Sequence, residues 1–123
     1  MIILGDELVP HENMSFISSI DEIKNTKANS TLIFLYDVEL LKYCYENELS
    51  SAIIVTSLTE AIYCNSLNAK YIISDKHLAI QIQKIADNYM YDSKNLVIID
   101  SNEEFEHIAK DEIDGVIYRD LIK

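Results

Sequence analysis

The chain has 123 residues, of which 49% are apolar, and it carries 10 Lys and Arg residues against 21 Asp and Glu residues. A net charge of −11 disfavours binding to nucleic acid or to an anionic membrane surface, because both interactions depend on clustered cations. The length is typical of one domain with a sizeable core, and no apolar run approaches the ~20 residues of a membrane span.

The amino-terminal segment predicts the first strand and an intracellular location. The apolar run 2–4 meets Asp6 and Glu7 too soon for a signal peptide, and no basic segment precedes it. Cys44 and Cys64 lie in different predicted helices without the spacing of a metal site, so we interpret them as buried apolar residues. A disulfide between them is not expected in a reducing compartment, and we expect a cytoplasmic protein.

From residue 31 onward the chain repeats one pattern. An apolar, β-branched run ends at a polar residue that can cap a helix, and an amphipathic segment follows. Strands that are apolar on both sides are typical of a parallel sheet covered by helices. The predicted strands are 2–4, 31–36, 52–55, 70–73, 95–99 and 115–118, with a short extended piece at 15–17, and the predicted helices are 20–26, 38–48, 58–68, 76–91 and 102–112.

The ends of these helices carry recognisable signals. Serine stands three residues before glutamate at Ser19, Ser57 and Ser101, which predicts a capping box at each position. Asparagine replaces the usual glycine at or near three helix ends, at Asn25, Asn47 and Asn68. Because asparagine tolerates the left-handed backbone conformation, we expect these residues to end their helices.

These elements predict an α/β protein with a single domain over residues 1–123. The expected architecture is three αβα layers around a mostly parallel sheet of about five to six strands, in flavodoxin-like or Rossmann-like order. A (βα) half-barrel is the alternative, because the sequence does not show where the strand order reverses. The stretch Ser51–Asp75 resembles strand–helix–strand units of dinucleotide domains and phosphate-binding barrels. The whole chain resembles small Rossmann-like or flavodoxin-like bacterial proteins, a resemblance without a diagnostic motif that implies a fold but no function.

A ligand site is expected at the carboxyl ends of the strands, which share one edge of a parallel sheet. Carboxylates at this edge could hold Mg²⁺ with a substrate phosphate. Helix capping alone would also place Asp37, Ser57, Asp75 and Ser101 there. The candidate residues at the edge are Asp6, Glu7, Asp37, Ser57, Asp75, His77, Asp100 and Ser101.

The loop after the first strand is the second candidate. Asp6, Glu7 and His11 are residue types that bind metals, but their spacing matches no known ligand motif. The order of acidic residues also fails the pattern of phospho-acceptor receiver domains. No glycine-rich dinucleotide or phosphate loop follows any strand, so no cofactor is predicted.

Tyrosine is abundant, with eight residues, whereas tryptophan is absent. Tyr43 and Tyr45 share one predicted helix, and Tyr89 and Tyr91 share another. Residues two apart cannot both face the core, so at least one of each pair should lie near the surface. Partly exposed tyrosines suit a protein interface, and all four are interface candidates.

The favoured interpretation is a non-catalytic binding or protein-interaction module that forms a homodimer or binds a protein partner. Two alternatives stay open. One is an Mg²⁺-dependent or small-ligand enzyme that uses the carboxylates of the strand edge. The other is a degenerate nucleotide-binding domain that lacks a glycine loop. The sequence does not identify a small-molecule ligand.

Overall fold

The computed structural model describes residues 1–123 and contains one sheet of seven strands, all parallel. The strands are β1 (Ile2–Leu4), β2 (Met14–Phe16), β3 (Thr31–Leu35), β4 (Ser51–Ile54), β5 (Tyr71–Ser74), β6 (Lys94–Ile99) and β7 (Gly115–Tyr118). The α-helices are α1 (Val38–Glu46), α2 (Leu58–Ser66), α3 (Lys76–Asn88) and α4 (Phe105–Lys110). Short 3₁₀ helices cover Ile20–Asn25, Asn102–Glu104 and Arg119–Leu121.

The strand order is β1-β7-β6-β5-β4-β3-β2, which is the order of a curled half-barrel. The α/β class and the parallel sheet are thereby confirmed, with seven strands rather than five to six. Each of the strands β3 to β7 lies beside the strand that precedes it in the chain. The strand order from β2 to β7 therefore never reverses, whereas it does in a flavodoxin-like or Rossmann-like sheet. Right-handed crossovers that always advance in one direction put all their helices on one face.

The packing of the two faces agrees with this topology. Alternate strand residues such as Phe34 and Ile53 pack with α1 and α2, and Val97 packs with α3 and α4. The residues between them, including Ile33 and Ile73, form a separate buried cluster without any residue of the four α-helices. The expected three-layer αβα arrangement is therefore wrong, and the half-barrel alternative is the one observed.

The loop 5–13 and the carboxyl-terminal segment cover the face that lacks helices. Since β1 and β2 occupy opposite edges of the sheet, the loop between them has to cross it. Val9 and Pro10 border a cleft together with Leu4 and Tyr71, which belong to the buried cluster on this face. Leu121 packs against the same cluster. A loop and a carboxyl-terminal segment with one short 3₁₀ helix therefore take the place of the expected second helix layer.

Glu12 fastens the loop to the amino ends of the strands. Its carboxylate accepts hydrogen bonds from the Tyr71 hydroxyl at 2.8 Å and the Thr31 hydroxyl at 2.9 Å, and it pairs with the Lys70 ammonium group. Burial alone would raise the pKa of Glu12, but the bonds from Lys70, Tyr71 and Thr31 outweigh burial and lower it. The same contact and burial raise the pKa of Tyr71.

All four α-helices end in the same way. A residue with positive φ stands two positions after the last helical residue: Glu48 (54°), Asn68 (62°), Met90 (51°) and Glu112 (58°). In each case the next amide donates to a carbonyl in the last turn, as in Leu49 N–H to Cys44 O at 2.9 Å. The left-handed ending predicted for Asn68 is confirmed, whereas Asn25 and Asn47 do not adopt it.

Candidate functional site

Four of the candidate residues at the strand edge cap helices. Asp37 accepts from the Leu40 amide at 3.1 Å, and Asp75 accepts from the Leu78 amide at 2.9 Å. Ser57 and Ser101 accept from the amides of Glu60 and Glu103, at 3.2 and 3.1 Å. Of the three predicted capping boxes, only that of Ser101 with Glu104 is complete. Ser57 caps its helix, but the Glu60 carboxylate accepts from the Thr56 amide, and Ser19 makes no side-chain cap. Helix capping therefore explains why Asp or Ser stands at each of these four positions, without a ligand.

The remaining carboxylates lie around an acidic cleft of ≈480 Å³ at the ends of β1, β6 and β7. Asp6, Glu7 and Asp100 line it together with Ser101 and Tyr118. The side chain of Asp6 accepts hydrogen bonds from the Leu8 amide and the Tyr118 hydroxyl, both at 2.8 Å. These bonds lower the pKa of Asp6, while burial and the bond to Asp6 raise the pKa of Tyr118.

The predicted metal ligands do not form a coordination sphere. No group of three or more His, Cys, Asp or Glu side chains is placed to hold a metal ion. The imidazole Nδ1 of His11 lies 2.7 Å from the Glu12 carbonyl oxygen. His11 borders a different cleft from the one that Asp6 and Glu7 line. His77 is exposed in the first turn of α3. Asp100 forms a salt bridge with Arg119 at 2.9 Å, which neutralises part of the negative charge at this edge of the sheet.

One tyrosine of each pair is exposed as expected, but the prediction that Tyr89 and Tyr91 share a helix is wrong, because α3 ends at Asn88. Tyr45 and Tyr89 are exposed, whereas Tyr43 and Tyr91 are half-buried. Tyr89 stands at the carboxyl end of α3 beside the exposed Met90. Of the four interface candidates, only Tyr45 belongs to a larger apolar surface, which lies between α1 and α2.

This surface is a groove of ≈550 Å³, here called the α1–α2 groove. It is mainly apolar, with two charged side chains among eight lining residues. Val38, Tyr45 and Tyr63 project from it and are 64%, 47% and 55% exposed. The lining residues are Tyr36, Val38, Leu41, Lys42, Tyr45, Glu46, Tyr63 and Leu67.

The local sequence explains why the groove forms. Along α1 the residues Val38, Leu41 and Tyr45 recur at spacings of three and four, which places them on one helix face. Leu41 is buried and contributes to the floor of the groove, whereas Val38 and Tyr45 stand at its margin. Tyr63 and Leu67 are four residues apart and supply the facing wall from α2 and its carboxyl-terminal cap.

Tyr36 connects the floor of the groove to the sheet. It directly follows β3 and is half-buried. Burial raises the pKa of Tyr36, and the neighbouring Cys64, Glu60 and Tyr63 raise it further. The phenol therefore stays protonated around neutral pH and can donate a hydrogen bond to a bound group.

The sequence analysis missed Tyr36, Val38, Tyr63 and Leu67 as parts of one surface. The width of the apolar face of α1 could have indicated this surface. Six of its nine residues are apolar, and such a set is too wide for a single core-facing stripe. The excess predicts a second apolar face, but the sequence alone does not show whether another element covers it.

Comparison with models of known protein families and with curated proteins finds no match. None of the helices has the length and the apolar composition needed to cross a membrane.

Proposed function

We propose that the chain is a non-catalytic protein-interaction module whose binding surface is the α1–α2 groove. One observation carries this proposal. Ten large apolar side chains are exposed, and three of them (Val38, Tyr45 and Tyr63) line the α1–α2 groove. A contiguous apolar surface of this kind is typical of an interaction site, whereas single exposed apolar residues are not.

The composition of the groove supports the proposal. Tyrosine is enriched in protein interfaces because its ring supplies contact area and its hydroxyl supplies a hydrogen bond. Three tyrosines line this groove, and Tyr36 stands at its base while Tyr45 and Tyr63 stand at its margin. Aromatic side chains that become buried when a partner binds often contribute most of the binding energy of an interface.

An enzyme at the strand edge is supported less well. Asp37 and Asp75 already accept hydrogen bonds from helix amides, and Asp100 is paired with Arg119. A carboxylate that is engaged in this way is a poorer ligand or general base than a free one. We expect the module to act in the cytoplasm, since Cys44 and Cys64 are buried free thiols. We expect no binding to nucleic acid, because the net charge is −11.

The test compares three proteins: the wild type, a Tyr45→Ser/Tyr63→Ser variant and a Tyr89→Ser control. Tyr89 is 77% exposed and lies outside the groove, so the control removes a tyrosine that is more accessible than either groove tyrosine. Each protein is immobilised and exposed to an extract of the cells that produce it, and sedimentation velocity measures self-association in parallel. Circular dichroism verifies that all three proteins are folded.

We expect the wild type and the control to retain the same partner, or to self-associate to the same extent. The groove variant should lose at least about tenfold in affinity, the effect of removing ~1.4 kcal/mol of interface contacts. Identical retention and identical sedimentation for all three proteins would refute the proposed function.

A further inference from the structure

We infer that the partner of the α1–α2 groove is a basic amphipathic helix of another protein: an apolar stripe enters the groove, and Lys or Arg side chains flank it. This inference rests on the proposed function, and it goes further by naming the shape and charge of the occupant. The shape follows from the groove and the charge from the residues around it.

The walls of the groove favour a helical occupant. A depression between two neighbouring helices accepts a third helix that lays its apolar face between them. The nine residues of α1 span about 13 Å, at 1.5 Å per residue. A helix of about three turns therefore matches the length of the wall and presents apolar residues at spacings of three and four.

The charges around the groove favour a basic occupant. The segment from Asp37 to Leu67, which contains both helices, has five acidic residues and one basic residue, a net charge of −4. Glu46 lines the groove at one end. Glu60 flanks the groove near its other end: it lies three residues before Tyr63 on α2, and its carboxylate accepts hydrogen bonds from the Thr56 amide and hydroxyl. Within the lining Lys42 and Glu46 balance each other, so the excess negative charge belongs to residues that flank the groove.

The same charges disfavour a second copy of this chain. A symmetric dimer places one surface patch against the identical patch of its partner. Contact through this groove would place two segments of net charge −4 against each other, on molecules that each carry a net charge of −11. Like charges placed opposite one another at an interface are destabilising, whereas a basic helix is steered toward the groove.

The experiment uses a displayed library of amphipathic helical peptides about 16 residues long. The apolar positions are held constant, and the polar positions are randomised among Lys, Arg, Glu, Gln and Ser. Selection is run in parallel on the wild type and on the Tyr45→Ser/Tyr63→Ser variant. One tryptophan in each selected peptide reports binding, because the protein itself contains none.

Two further variants test the role of charge. Glu46→Gln/Glu60→Gln removes two charges at the groove. The matched control Glu104→Gln/Glu106→Gln also removes one carboxylate that accepts from amides at a helix start and one exposed carboxylate, both far from the groove in sequence. We expect peptides enriched in Lys and Arg that depend on Tyr45 and Tyr63. Their dissociation constant should rise about five- to tenfold in the groove variant and less than twofold in the control. Added salt should weaken binding to the wild type.

The other outcomes are distinguishable. Enrichment of neutral or acidic peptides that still require Tyr45 and Tyr63 would overturn the inference and leave the proposed function standing. Self-association that is lost in the Tyr45→Ser/Tyr63→Ser variant would do the same, because the occupant is then a second copy. A wild type that enriches no peptide but retains a partner through Tyr45 and Tyr63 would overturn the inference alone. A wild type that enriches no peptide, retains no such partner and does not self-associate would refute the inference and the proposed function together.

Discussion

Replacing Glu12 by glutamine should destabilise the protein by about 2 kcal/mol at neutral pH. Oε1 of Glu12 accepts a hydrogen bond from Tyr71, and Oε2 accepts hydrogen bonds from both Thr31 and Lys70. Glutamine has one oxygen and one amino group at these positions, so at least one donor loses its acceptor. A lost bond to a charged group costs about 1.5–3 kcal/mol, and the half-exposed Lys70 adds little.

The assay is thermal unfolding followed by circular dichroism, with Glu7→Gln as the matched control. Glu7 lies in the same loop and is exposed, so its substitution removes an equal charge without a buried bond. For a domain of this size, 2 kcal/mol corresponds to a fall in Tm of about 6–10 °C. The control should stay within about 2 °C of the wild type.

The pH dependence supplies a second readout. Because the pKa of Glu12 is lowered in the folded state from its ordinary value of 4.5, the carboxylate stabilises the fold above that value. The contribution is lost as the pH falls through the lowered pKa. The difference in Tm between wild type and Glu12→Gln should therefore be full at pH 7 and shrink below 4.5. Equal Tm values for Glu12→Gln and Glu7→Gln at pH 7 would refute this account of the loop.

Three further experiments probe the fold. Gly115→Ala should destabilise the protein by about 1–3 kcal/mol in urea unfolding, because an added Cβ would meet the Ile2 carbonyl oxygen and lie 2.6 Å from its Cβ; unchanged stability would show that β1 does not approach β7 so closely. Met90→Gly should instead stabilise the protein by about 0.5–1 kcal/mol, because φ at this position is 51° and glycine adopts that conformation without strain. As the control, Lys84→Gly inside α3 should destabilise the protein. An equal loss of stability in both variants would contradict the left-handed ending of α3. The thiols of Cys44 and Cys64 should react with Ellman's reagent at pH 8 only on unfolding, because burial raises their pKa values to about 11 and about 12, and fast reaction of the native protein would contradict their burial.

Local patterns predicted most of the elements of this fold. Apolar runs and caps located β3 to β7 and the four α-helices, with helix ends that differ from the structure by a few residues. The segment 20–26 was expected to be an α-helix and forms a 3₁₀ helix over Ile20–Asn25. These features depend on residues near one another in sequence, and for that reason the sequence reveals them.

The strand order could not be predicted in the same way. The position of β1 beside β7 depends on contacts between residues more than 100 positions apart, such as Ile2 with Gly115 and Asp6 with Tyr118. The sequence pattern of β1 is equally compatible with either edge of the sheet. The glycine at position 115 was a partial signal, because a glycine inside a strand often marks close approach of another backbone.

The candidate site shows the same division. Helix capping at Asp37, Ser57, Asp75 and Ser101 follows from short-range spacing. The α1–α2 groove combines residues from β3 to the end of α2, and its exposure depends on which helices lie side by side. Periodicity identifies an apolar face but does not show whether that face is covered.

Site-specific photo-crosslinking in the producing cells tests the central claim most directly. Benzoylphenylalanine replaces Tyr45 or Tyr63 in the groove, and it replaces Tyr89 or Glu7 as controls outside the groove. We predict a covalent adduct of higher mass at positions 45 and 63 and none at positions 89 and 7. Adducts confined to position 7, or equal at all four positions, would contradict the assignment of the α1–α2 groove as the binding surface.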